Sequence, residues 1–158
     1  MDPADWITLG AAGIALLTLI TSSASAARAR VKTIEDAYIA RYWQILDSFP
    51  TEALVGIQGP TPLPEDAQRA VRLYLRLCED ELELRQLGWV GGRTWEQWRP
   101  GIELQLQQWP VADEWNPIRD GQRAPSQFEL LRRLATTPGF DPYQPTRLGR
   151  IARVWRQL

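Results

Sequence analysis

Residues 64–88, PEDAQRAVRLYLRLCEDELELRQLG, decide the fold. Pro64 stands at a first turn, Glu65 and Asp66 suit the positive end of a helix, and Gly88 offers a C-terminal stop. The apolar residues between them fall on two faces. Val71, Tyr74, Leu75, Cys78 and Leu82 form one, and Leu73, Leu77, Leu84 and Leu87 the other. A helix that is apolar on two sides packs between neighbours. This stretch therefore predicts the central helix of an all-α domain.

Working outward, Thr51 to Pro64 reads as loop, punctuated by Gly56, Gly59, Pro60 and Pro62. Before it, Val31, Ile34, Tyr38, Tyr42, Ile45 and Phe49 recur at steps of three and four, so a long helix ends near Ser48. After Gly88, Thr94-Trp-Glu-Gln97 has the form of a capping box. Trp95, Trp98, Ile102, Leu106 and Trp109 follow on one face. Pro100 and Gly101 predict a kink there, or two short helices, because proline clashes with the preceding turn. Pro110 to Pro125 reads as loop. Ser126 and Glu129 form a second capping box, with Phe128, Leu130, Leu131 and Leu134 behind it. Thr136 to Pro145 is loop again, and Thr146 caps a last helix. Leu148, Ile151, Ala152, Trp155 and Leu158 line one arc of that helix, with Arg150, Arg153 and Arg156 outside the arc. No period-2 run of six residues predicts a strand, and Asp120-Gly121 lies in polar loop.

The N-terminal stretch carries no charge from Trp6 to Ala29 except Arg28. Ile7, Gly10, Gly13, Leu16, Leu17 and Ile20 fall in its apolar part. A hydrocarbon core needs about 20 helical residues, which Ile7–Ala27 supplies. The reading is a single spanning helix, capped by Asp5, with Trp6 at the interface. Its serines and threonines bond back to the preceding turn and do not forbid insertion. Ala24-Ser-Ala26 also resembles a signal-peptide cleavage site, but Asp2 and Asp5 precede the apolar run where a signal carries cations. Arg28, Arg30 and Lys32 follow the run. They place the chain after it in the cytoplasm and Met1 outside, with the three cations at the lipid headgroups. Three parts result: residues 1–29 as tail and transmembrane helix, 30–135 as a helical cytoplasmic domain, and 136–158 as loop and basic C-terminal helix. The small residues Gly10, Ala11, Ala12, Gly13 and Ala15 suit close packing against another membrane helix.

Composition excludes several chemistries. The 158 residues include one cysteine and no histidine. A histidine-based triad, a histidine-ligated metal and an intrachain disulfide are impossible within one chain. The formal net charge is −1, so no nucleic-acid partner is expected. Glu79, Asp80, Glu81 and Glu83 form an acidic run. It reads as a solvated strip facing Arg72, Arg76 or Arg85, and alternatively as a carboxylate site through Glu79 and Glu83. Cys78 reads as a small core residue. Trp89, Trp95, Trp98, Trp109 and Trp115 are divided between core and partner surface, since tryptophan anchors both. Arg150, Arg153, Trp155 and Arg156 form a basic amphipathic end suited to a partner or a membrane. No catalytic, cofactor or metal constellation emerges. The functional expectation is a non-enzymatic accessory or scaffold subunit docking on a larger bacterial membrane complex. The alternative is a self-associating membrane-anchored effector or sensor.

One further pattern bears on topology. Tyr74-Leu-x-Leu-Cys-Glu-Asp-Glu81, Leu84, Gly88, Trp95-x-x-Trp98 and Gly101-Ile102, after a lone N-terminal span, resemble small uncharacterised membrane-anchored helical proteins of bacteria. The resemblance covers Trp6 to Trp109. It implies an anchor and a helical fold, and it supplies no catalytic residue.

Overall fold

The computed structural model describes residues 3–144, without the side chains of residues 3–13, 17, 24 and 27. Among the described residues six helices follow in order: α1 (Pro3–Leu46), α2 (Thr51–Leu54), α3 (Glu65–Gln86), α4 (Gly92–Gln105), α5 (Val111–Arg119) and α6 (Glu129–Thr136). No strand occurs among the described residues. The all-helical class read from the sequence is what the chain adopts. Among the described residues, no helix is long and apolar enough to cross a membrane. Of the residues assigned to a span, the burial of Ile7, Gly10, Gly13 and Leu17 lies outside the description, Leu16 is exposed and Ile20 is half-buried.

Residues Ile34–Gln144 form a compact unit of their own. The helix α3 is its centre and packs on both α5 and α6. Val71, Leu75, Leu77, Cys78 and Leu82 are completely buried, with Trp95, Ile102, Val111, Trp115, Leu131 and Leu134 around them. One α3 face matches the sequence reading. The other is only partly covered: Leu77 is buried, whereas Leu73 and Leu87 are exposed. The segment of α1 inside this unit brings Tyr38, Tyr42, Ile45 and, just beyond it, Phe49 onto the core, at the expected helical spacing.

Several local expectations need correction. α4 starts at Gly92, with Gly91 as N-cap and no side-chain cap, so Thr94 lies inside the helix. α4 also runs through Pro100 without dividing. Buried Trp95 lies before the proline and buried Ile102 and Leu106 after it. That burial holds the helix together across the missing amide donor. The stretch after Pro110, read as loop, contains α5, whose Val111, Trp115 and Ile118 are buried. The packed unit extends beyond 135 to Gln144, because Phe140 is buried and Asp141 is bound to α3. The expected basic helix with Arg150, Arg153, Trp155 and Arg156 lies outside the described residues.

Candidate functional site

The acidic run on α3 is not a solvated strip. Only Asp80 meets an arginine of its own helix, Arg76, at 3.0 Å. Glu79 and Glu81 are both buried, and Glu83 is exposed. The two Glu79 oxygens accept the amides of Leu130 at 3.1 Å and Leu131 at 2.9 Å. Those are amides of the first turn of α6, whose own N-cap, Phe128, provides no side-chain acceptor. Burial pushes the Glu79 carboxyl up, and the two amide bonds pull it back down. With both oxygens so placed, Glu79 is not paired with Glu83 as a carboxylate site. Among the described residues, no group of three or more potential ligands is placed to hold a metal ion.

Glu81 is different. It is 7% exposed, and among the described residues it has no hydrogen bond and no ion pair. Burial first, and then the neighbouring Asp80 charge, push its pKa up to about 8. It lies on the wall of a half-open cleft of about 270 Å³, formed by α1, α3 and α4. Ile39, Tyr42 and Trp43 come from α1, Tyr74 and Glu81 from α3, and Gln97, Trp98, Gly101 and Ile102 from α4. Helical spacing produces this arrangement. Tyr74 and Glu81 are two turns apart on one face of α3, and Tyr42 and Trp43 bracket the edge of α1 that faces them. The rings form a connected set: Tyr42 meets Trp43 edge-on at 5.3 Å between centroids and Tyr74 at 6.2 Å. Trp43, at the mouth, is 58% exposed. Cys78 is fully buried, and burial pushes its thiol well above the usual range.

Of the tryptophans expected at a partner surface, the structure brings, among the described residues, only Trp98 to this cleft. Trp95 and Trp115 are 3% and 1% exposed and belong to the core instead. Both are members of the buried cluster around α3, and in sequence a core tryptophan and a contact tryptophan look alike. Trp109 packs on Gly59, and Trp89 is exposed on the turn after α3. Arg28, Arg30 and Lys32 are exposed along α1. Sequence reasoning missed Trp43, Tyr42 and Glu81 as a set. A tryptophan flanking the apolar stripe of α1, off its buried face, was the available signal.

No protein-family model, curated protein or solved structure matches the chain.

Proposed function

We propose that the protein is a non-enzymatic, membrane-anchored accessory subunit that docks on a larger bacterial membrane complex, with the α1–α3–α4 cleft as its docking site. The observation that carries this reading is the cleft itself. It presents aromatic rings and one buried acid, with Trp43 and Ile39 left exposed at its edge. Large apolar side chains left uncovered in a group are the usual mark of an interaction site.

The anchor in this reading is the uncharged run Ile7–Ala27, followed by Arg28, Arg30 and Lys32. It places the N-terminus outside and the folded unit in the cytoplasm. Two features of α1 support it. Ile14, Leu16 and Leu19 are exposed apolar side chains in search of an apolar surrounding. Thr18, Thr21, Ser22, Ser23 and Ser25 all donate their hydroxyls to backbone carbonyls one turn earlier, at 2.8–3.1 Å. A hydroxyl satisfied within its own helix enters lipid at much lower cost.

The test is the native mass of the full-length protein, extracted from its own membranes in mild detergent, with co-migrating proteins identified. A hetero-complex that Trp43→Ala dissolves supports the proposal. A protein recovered from the soluble fraction, or alone in the membrane, overturns it. A homo-oligomer moves the reading to a self-associating effector.

A further inference from the structure

We propose that the α1–α3–α4 cleft binds an alkylammonium group, with Glu81 as its counter-ion and the rings of Trp43, Trp98, Tyr42 and Tyr74 as its walls. This rests on reading the cleft as a binding site, and it names the chemistry of what enters. Three observations carry it. The first is an acid more than nine-tenths buried, on the wall of an open cleft, with no partner among the described residues. An unpaired buried carboxylate is costly, and a cation entering the cleft would relieve that cost. The second is the aromatic lining, since ring faces attract cations, most of all where water is excluded. The third is size: about 270 Å³ lies below the usual span of pockets for drug-sized ligands and suits a short aliphatic cation.

The lining also selects among cations. A guanidinium carries five donors in a planar fork and needs acceptors for them. Besides the tyrosine hydroxyls, this cleft offers Glu81 and Gln97 as its polar side chains. An ammonium is a compact charge on a flexible apolar stem. Its stem fits against Ile39 and Ile102, and its head reaches Glu81.

Binding must compete with the proton that the buried acid holds. The neighbouring titratable groups are Tyr38 and Tyr42 on α1 and Tyr74, Cys78 and Asp80 on α3, while α4 contributes uncharged Gln97 and Trp98. Burial raises Tyr38, Tyr42, Tyr74 and Cys78 above their ordinary values, out of the range in which Glu81 ionises. Affinity for the cation therefore rises from pH 6 to pH 9 as Glu81 loses its proton.

The experiment titrates the full-length chain in maltoside detergent, followed by tryptophan fluorescence and calorimetry. The probes are n-butylammonium, its neutral counterpart butan-1-ol, and Nα-acetyl-lysine methylamide. The expected result is saturable binding of n-butylammonium, at least tenfold weaker binding of butan-1-ol, and a tenfold or greater loss in Glu81→Gln. Because Trp43 is exposed, Trp43→Ala keeps the fold and loses affinity too. Tighter binding of the lysine amide than of n-butylammonium assigns the group to a partner's lysine side chain, and equal binding assigns it to a free amine. Equal affinity for amine and alcohol, indifference to Glu81→Gln, or no saturation by n-butylammonium overturns the proposal. A protein that proves solitary in its membrane yet binds n-butylammonium refutes only the docking reading. A stable hetero-complex whose cleft ignores n-butylammonium refutes only the ammonium assignment.

Discussion

The Leu131 amide of α6 donates to the Glu79 carboxylate of α3 at 2.9 Å, and the Leu130 amide donates to its other oxygen at 3.1 Å. Ser, Thr, Asn or Asp immediately before a helix normally accepts from these two positions. Here Phe128 occupies the N-cap in a left-handed conformation, φ 59° and ψ 42°, and a residue from another helix supplies the acceptor. Glu79→Ala leaves two buried amides without partners, and we expect a loss of about 2–4 kcal/mol in chemical denaturation. Faster hydrogen exchange at Leu130 and Leu131 would be the local signature. Exchange rates there equal to wild type would refute the assignment.

Glu81 gives the fold a pH dependence of unusual sign. In the unfolded chain its carboxyl titrates near 4.5, and in the fold near 8. Between those values the native state holds more protons than the unfolded state, so stability falls as pH rises. The contribution is intact below about pH 4.5 and fully lost above about pH 8. The penalty is on the order of 5 kcal/mol at pH 9. Glu81→Gln, neutral throughout, should melt at nearly the same temperature from pH 5 to pH 9, while the wild type declines. Parallel curves for the two proteins would count against a buried, unpaired acid.

Gly59 is a packing glycine. A Cβ placed there would fall on the Trp109 ring. Gly59→Ala therefore forces the ring aside. We expect a cost of about 1–3 kcal/mol, read as a lower melting temperature. Trp109→Leu in the same background should recover part of the loss, because the smaller side chain makes room.

Arg85 closes the compact unit. Its guanidinium donates to both Asp141 oxygens, at 2.9 and 2.6 Å, and to the Val90 carbonyl at 2.8 Å, and it stacks 5.0 Å from the Tyr143 ring. Only a planar fork serves all of these at once. Arg85→Lys should therefore destabilise by about 2–4 kcal/mol despite keeping the charge, and should expose the chain around Asp141 to limited proteolysis. Protection equal to wild type would show that the clasp is dispensable.

The helical class, the position of α3 and the long α1 were legible because each depends on apolar spacing along one stretch of chain. Cys78 as a core residue was legible for the same reason. The caps were not. Thr94, Ser126 and Glu129 have the right local pattern, yet α4 begins before its box and α6 takes its acceptor from Glu79. A hydrogen bond between residues far apart leaves no periodic trace. α5 was hidden by Pro110 and Pro117, which signal turns, although its buried Val111, Trp115 and Ile118 keep helical spacing. The cleft was hidden because its aromatic residues come from three helices, and only the fold makes neighbours of Trp43, Tyr74 and Trp98.

The borrowed acceptor at α6 has a consequence for how far the parts of this protein can be separated. A helix that carries its own cap can be cut out, moved to another scaffold or exchanged with a foreign one. α6 cannot, because the instruction to begin it is written in α3. Sequence drift at Glu79 and around Phe128 is therefore tied: a serine or aspartate cap gained at the start of α6 would release Glu79, and a neutral residue at Glu79 would demand such a cap in return.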